Sequence, residues 1–319
     1  MASRRAVGLN PIRFKAERIT RSSALFSFRT MNSFRLRLPQ LALLPSIILV
    51  AVTVYGFILL NFVISLTRSR MLPRFDRWEG FENYLRVWNH NRWEVAMENF
   101  AIFGVLYILA TLVIGLLLAI LLDQKIRAEG PLRTIYLYPM ALSFIVTGVA
   151  WQWLMSPDLG IEYAFRTWGW ESFRFSWITQ SNLAIYCVVI AGAWQASGFV
   201  MALFLAALRG INSEIISAAR IDGASGPRIY WHIIIPALRP AFLTAIVVQG
   251  HLAVKSYDLV IALTGGGPGF ATELPSTFMY GFTFSRNEMA MGAASAVMML
   301  VLVTILIVPY LYSELRRDR

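Results

Sequence analysis

The sequence predicts an all-α, polytopic membrane protein of about six transmembrane helices. Three observations carry this expectation. Of 319 residues, 57% are hydrophobic and only 15% charged, whereas a soluble globular domain is about a quarter charged. The apolar residues fall in runs longer than a soluble core helix needs. The basic residues lie mainly between those runs, with a bias that alternates from one connection to the next.

The runs give the elements in order. The first is Leu41 to Leu66, with Pro45 near its start, where proline is tolerated. At a rise of about 1.5 Å per residue it more than crosses a hydrocarbon core of about 30 Å. The second is Phe100 to Leu122. The third, Ile135 to Met155, contains Pro139. The fourth is Leu183 to Leu208. The fifth, Ala241 to Leu263, carries Gln249, His251, Lys255 and Asp258. The sixth is Met289 to Tyr312, with Pro309 near its end.

Arginine and lysine set the orientation. With both termini in the cytoplasm, the inside segments are 1–40, 123–134, 209–240 and 313–319, and they hold 19 of the 29 basic residues and 7 of the 18 acidic ones. The outside segments 67–99, 156–182 and 264–288 hold 9 basic and 10 acidic residues. One outside connection runs against the bias, through Arg68, Arg70, Arg74 and Arg77.

Residues 1–38 read as a basic tail. In residues 1–35 Glu17 is the only acid. The composition fits a segment resting on anionic lipid, or a transit peptide, or a lead upstream of a start at Met31, and the last is preferred. From Trp78 to Trp93 aromatic and polar residues alternate, which fits a helix lying in the membrane interface or an aromatic belt. Tyr163 to Trp177 is similar.

Several function classes are excluded. The formal net charge is +11, but the basic residues flank apolar runs and form no patch on a soluble domain, so nucleic acid is not the partner. Cys187 is the only cysteine, which rules out an internal disulfide or a cysteine metal cluster. His90, His232 and His251 show no metal-ligand spacing. G-x-S-x-G, H-E-x-x-H and the Walker lysine motif are absent, and no cofactor is implied.

The connection after the fourth run has its own pattern. It reads Ile211-Asn-Ser-Glu-Ile-Ile-Ser-Ala-Ala-Arg220, Ile221-Asp-Gly-Ala-Ser-Gly-Pro-Arg228, Ile229-Tyr-Trp-His-Ile-Ile-Ile-Pro236. Asn212 or Ser213 can cap a helix whose positive end suits Glu214. Gly223 can close that helix in the left-handed conformation. Ser225 can cap a second one, with Pro227 in its first turn and Pro236 at its far end. Two short helices therefore meet at an Asp222-Gly223 elbow. Ile229 and Ile233 share a face, which can enter a groove of another protein or pack on its own bundle.

Ser217-Ala218-Ala219-x-x-Asp222-Gly223-Ala224, followed by Pro236, resembles the coupling motif E-A-A-x-x-x-G, then about nine residues, then I-x-L-P, of permease subunits of binding-protein-dependent ABC importers. Ser217 replaces the opening glutamate. Leu263-Thr-Gly-Gly-Gly-Pro268 resembles the outer loop of the maltose and glycerol-phosphate group of carbohydrate permeases. Its glycines permit a tight turn, and a phosphate cradle is the alternative. Similarity to glucose/mannose permeases rests on Leu121 to Ile126, Thr134 to Leu142, Trp194 to Gly198 and Pro309 to Leu315, with α-glucoside permeases second. It runs from about Pro39 onward.

The resemblance implies a type I ABC importer permease fold over 39–319. ATP hydrolysis would belong to a separate subunit, docked through 212–236, so this chain is not itself an enzyme. Implied partners are a second homologous permease, two copies of the ATP-binding subunit, a soluble sugar-binding protein and membrane lipid. The location is the bacterial inner membrane.

Candidate path residues lie on the fifth run. His251, Lys255 and Asp258 fall at i, i+4 and i+7 on one helical face. Burial of an ionisable group in lipid costs at least about 2.5 kcal/mol, so these residues should face a cavity or one another. With Tyr257 they can serve a sugar site, or Lys255 and Asp258 can form a structural ion pair. Gln249 lies off that stripe. Trp194 and Gln195 form a second polar-aromatic patch, with Trp151 and Gln152 a third. A different class, an ion-coupled carrier using the stripe as a proton relay, is opposed by the elbow motif.

Overall fold

The computed structural model describes residues 43–124 and 126–317. The basic segment 1–38, and with it the choice of Met31, lies outside the described residues. The chain divides into two units, up to Leu60 and from Asn61 onward. The first contributes the described stretch Leu43–Leu60, most of helix α1 (Leu43–Ser65). Apart from the length and composition of α1, everything below concerns the second.

Four helices are long and apolar enough to cross a membrane: α1, α3 (Asn91–Leu122), α7 (Ala184–Arg209) and α13 (Met289–Arg317). They match the first, second, fourth and sixth runs. The third and fifth runs depart from the sequence expectation of single helices. The third divides into α4 (Glu129–Leu137), a 3-10 turn containing Pro139, and α5 (Phe144–Leu154), with a bend of 101°. Leu142 and Ser143 are extended there, and Ser143 Oγ accepts the Val146 N–H, so a new helix is capped where a continuous one was expected. The fifth run begins in α10 (Arg239–Val254), which is bent by 62° from the helix before it, α9 (Gly226–Ala237). It then breaks over residues 255–257 before α11 (Asp258–Thr264). A π turn, Tyr230–Ile234, ends two residues before Pro236, whose ring displaces the normal i−4 carbonyl.

α7 is the central helix: 72% of its membrane-length segment is buried, against 33% for α3 and 35% for α13. Small residues let its neighbours approach. A β-carbon on Gly115 of α3 would stand 2.7 Å from Val200 Cγ1 of α7, and one on Gly148 of α5 would stand 2.5 Å from Ala262 Cβ of α11. Close approach of this kind is how membrane helices gain dispersion contacts when lipid is as apolar as their side chains.

Short helices complete the two ends. At one end lie α2 (Glu82–Trp88), α6 (Ile161–Thr167) and α12 (Pro275–Tyr280); at the other lies α8 (Ser213–Ile221), leading into α9. These are called the loop end and the elbow end.

Candidate functional site

The elbow forms as its residues dictate. Asn212 Oδ1 accepts the Glu214 N–H at 2.9 Å and so caps α8. At the far end Gly223 takes φ +79. Its N–H reaches the Arg220 carbonyl at 3.1 Å, while the Ala224 N–H reaches the Ala219 carbonyl at 3.0 Å. These are the two bonds of a Schellman closure, and Ala219 and Ala224 pack in the same apolar cluster beneath it. Ser217 Oγ donates to the Ser213 carbonyl at 2.9 Å, so the hydroxyl at the glutamate position is spent within α8.

The face that α8 and α9 present is not the one their isoleucines suggest. Ile229 and Ile234 are buried, with Ile233 packed beside them, against α7 and α10. The stripe serves the chain's own bundle. Exposed instead are Ile215, Ser217, Ala218, Ile221, Asp222 and Trp231, with Ile221 at 86%. A bare isoleucine next to an exposed aspartate, on a loop locked by backbone bonds, suits insertion into a partner's cleft. Pro236 stands half-buried near the end of α9, one residue before the bend.

The fifth-run stripe does not survive as a stripe. The break at 255–257 puts His251 and Lys255 at the end of α10 and Asp258 in the first turn of α11, so the three do not share one continuous helical face. Among the described residues, no ion pair joins Lys255 to Asp258. Asp258 sits where a helix dipole favours a negative charge. The Tyr257 ring packs at a tilt against Tyr280, with centroids 4.5 Å apart. His251, Lys255 and Asp258 are exposed on the surface of this chain.

Gln249, set aside in the sequence, is the buried polar residue of α10. It is 0% exposed, and neither amide atom has a hydrogen-bond partner among the described residues. Its position off the charged stripe was the only signal in the sequence. Gln195 is also buried; its Nε2 donates to the Leu142 carbonyl at 2.7 Å, while Oε1 is unpartnered. Trp194 packs edge-on against Trp151 at 5.8 Å. Both tryptophans line a cavity of about 680 Å³ with Tyr136, Tyr138 and Ser197.

At the loop end, Gly265 (φ +65) closes α11 and Gly266 (φ +88) continues the turn. The turn spends its own amides: the Gly266 N–H donates to Thr264 Oγ1 and the Gly267 N–H to the Thr264 carbonyl. With those amides spent inside the turn, the geometry favours the tight turn over a phosphate cradle. The sequence missed what anchors this turn. Arg92 at the start of α3 makes a forked pair with Glu273, Nε to Oε2 at 2.9 Å, and Glu273 is only 3% exposed. The guanidinium also covers the Phe270 ring at 4.2 Å. Asn99 Nδ2 donates to the Phe270 and Glu273 carbonyls. Nearby, burial first, and then Arg286 and Arg92, hold the His90 imidazole below its ordinary range.

No group of three or more potential metal ligands occurs among the described residues. The fold defines a class: a multi-pass, all-helical membrane protein with a well-ordered, exposed elbow at one end. The comparisons narrow the class. Residues 111–318 match the family model "Binding-protein-dependent transport system inner membrane component", and the chain belongs to that family. It is 37% identical, over 85% of its length and 94% of the relative's, to a protein of Pyrococcus horikoshii named a probable ABC transporter permease protein. It is 35% identical to the xylose/arabinose import permease protein of Haloferax volcanii, over 85% of this chain and 86% of that one. Among solved structures, a bacterial ABC transporter that imports the acidic polysaccharide alginate matches 91% of this chain and 100% of its own, with a TM-score of 0.77 at 19% identity. The chain is therefore a transport subunit of the inner membrane, dependent on a binding protein, and not an enzyme.

Proposed function

We propose that this chain forms half of the translocation path of an ATP-driven carbohydrate importer, with a monosaccharide such as glucose or mannose as cargo. The observation that carries the reading is the exposed, Schellman-closed elbow at Asp222-Gly223. A second homologous permease supplies the other half. Two copies of an ATP-binding subunit receive the elbows from the cytoplasm, where both termini also lie. A soluble sugar-binding protein delivers cargo at the loop end. The relative named for xylose and arabinose supports a small sugar.

Coupling follows from packing. A displaced elbow moves α9, whose Ile229 and Ile234 are buried in the cluster with Val200, Phe204 and Leu208 of α7. Phe204 also packs on Phe242 of α10 at 4.6 Å. Close-packed interiors transmit displacement and do not absorb it, so ATPase closure tilts α7 and α10 together. The cargo passes polar groups around the fifth-run break: His251, Lys255, Tyr257 and Asp258, with Gln249 beneath them. Trp194 and Gln195 line the path beside α5.

The test is uptake of labelled glucose, mannose, xylose, arabinose, maltose and trehalose, with and without this gene. Loss of one monosaccharide, restored by the intact gene but not by Gly223→Val, is expected. Loss of maltose or trehalose alone would move the cargo to the α-glucosides. Uptake that survives in cells lacking the ATP-binding subunit and collapses with an ionophore would favour an ion-coupled carrier.

A further inference from the structure

The arginine-rich connection after α1 breaks the charge bias of the chain, and the transport reading gives it no task. Its geometry is nevertheless well defined. The Arg68 N–H donates to the Arg77 carbonyl at 3.0 Å, and Thr67 bridges to Trp78, so the loop closes at its neck. Ser69 braces the interior: its Oγ accepts the Arg74 N–H at 2.9 Å and lies 2.6 Å from Thr67 Oγ1. Asn83 of α2 donates to the Ser65 and Thr67 carbonyls at 2.8 Å each. Ser65, Thr67, Ser69 and Asn83 are all at least 98% buried. Compact loops with close ends and buried polar braces hold their side chains in fixed places.

What this loop holds is positive charge around a hollow. A cavity of about 480 Å³ is lined by Arg68, Arg70, Arg74 and Arg77, with Asp76 the only acid. Glu79 accepts from both Arg68 and Arg86, so one carboxylate answers two guanidinium groups. Glu79 and Glu288 line the adjoining cavity. Arg70, Arg74 and Arg77 have no ion pair among the described residues, and all three are exposed.

The depth of the hollow follows from the membrane span to which it is bonded. Arg70 stands five residues beyond Ser65, the end of α1. The Met289 and Ala290 N–H groups, at the start of α13, donate to the Arg70 and Ser69 carbonyls at 3.2 and 2.9 Å. The hollow therefore lies at the level where the apolar helix α13 begins. The headgroup layer there is about 5–8 Å thick. Beside it, Phe81, Leu85 and Trp88 form an exposed stripe on α2 and its cap, with Trp78 exposed ahead of them, all between 57% and 68% accessible, while Asn83 and Val87 on the opposite face of the helix are buried.

We propose that the loop 67–78 binds the phosphate headgroup of an anionic phospholipid, with the Trp78–Trp88 stripe seated in the same leaflet. Guanidinium forks match phosphate oxygens in pairs. Tryptophan with an apolar body and a polar N–H prefers the water–hydrocarbon boundary. An acidic soluble protein would answer the arginines but leave the stripe in water. A phospholipid answers both, because its charge and its chains are joined at this depth.

The experiment is native mass spectrometry of the full-length chain in detergent, titrated with phosphatidylglycerol or phosphatidylcholine. The wild type is expected to retain phosphatidylglycerol preferentially. The triple variant Arg70→Gln/Arg74→Gln/Arg77→Gln should lose about a hundredfold in that affinity, at about fivefold per cationic residue. It should keep its phosphatidylcholine binding, because these side chains brace nothing in the neck. The Arg→Lys triple variant should fall between the wild type and the Gln variant in phosphatidylglycerol affinity, keeping the charge but losing the forked pairing. Equal retention by the wild type and the Gln variant would overturn the proposal. So would displacement of the lipid by equimolar inorganic phosphate, which would make this a site for a soluble anion. Unchanged lipid retention with lost capture of an acidic binding protein would reassign the surface to protein docking.

Discussion

A β-carbon on Gly198 of α7 would lie 2.1 Å from the carbonyl oxygen of Tyr136 in α4. One turn away on α7, Gln195 Nε2 holds the Leu142 carbonyl. Trp194 to Gly198 and Thr134 to Leu142, two of the segments that carry the family resemblance, therefore touch. The second bends sharply and the first supplies what the bend needs: room at one point and a donor at another.

Gly198→Ala follows directly. Backbone faces the new methyl group, so no side chain can swing aside, and the cost should reach about 3 kcal/mol, the upper part of the range for overpacking. Thermal unfolding of the detergent-purified protein checks it. An unchanged midpoint would mean that α7 and α4 are not in contact there.

Arg92 and Glu273 should behave as a unit. Breaking a buried pair leaves an uncompensated charge and costs about 3–5 kcal/mol, so Glu273→Leu and Arg92→Met should each destabilise strongly. The double variant should fall well short of the sum. A double-mutant cycle on unfolding midpoints reads the coupling, and additive effects would remove this pair as the anchor of the Gly265–Gly269 turn.

Gln249→Leu separates folding from transport. An unpartnered buried amide costs about 1–3 kcal/mol, so the variant should unfold at a higher temperature. If the amide meets cargo or a partner during the cycle, uptake should fall at the same time. A lowered midpoint would show that the amide is already satisfied in the assembled transporter.

His90 supplies a pH dependence. Its imidazole titrates below the ordinary value of 6.5 in the fold, so the unfolded chain takes up its proton first. Stability from the neutral ring is therefore complete above that pH and is lost as pH falls below it. Unfolding midpoints between pH 7.5 and 5 should decline more steeply for the wild type than for His90→Asn, in which this term is gone. Parallel profiles would exclude His90.

Asp258→Ala tests the fifth-run break. The carboxylate makes no ion pair with Lys255 and sits in the first turn of α11. Removing it should cost about 0.3–1 kcal/mol of helix-end stabilisation. Membrane levels should stay near normal while uptake drops severalfold. Loss of the protein from the membrane would point to a structural role.

The sequence alone determined the all-α class, the four unbroken spans, and the elbow with its capped start and glycine close. Each depends on residues within a few positions of one another: apolar run length, a cap two residues from its N–H, a left-handed glycine. The two broken spans were not legible as breaks: hydropathy runs smoothly through Leu142-Ser143, and the polar Lys255-Ser256-Tyr257-Asp258 interruption reads equally well as a polar stripe on a continuous helix. Only packing decided them. Gly148 against Ala262 and Gly198 against Tyr136 join segments more than sixty residues apart. The face used by α8 and α9 was likewise a tertiary decision: Ile229 and Ile233 lie at helical spacing in any context, and α7 is what covers them. Arg92 and Glu273, 181 residues apart, carry no mark of each other in the chain, since a pairing over that distance exists only once the helices between them have packed.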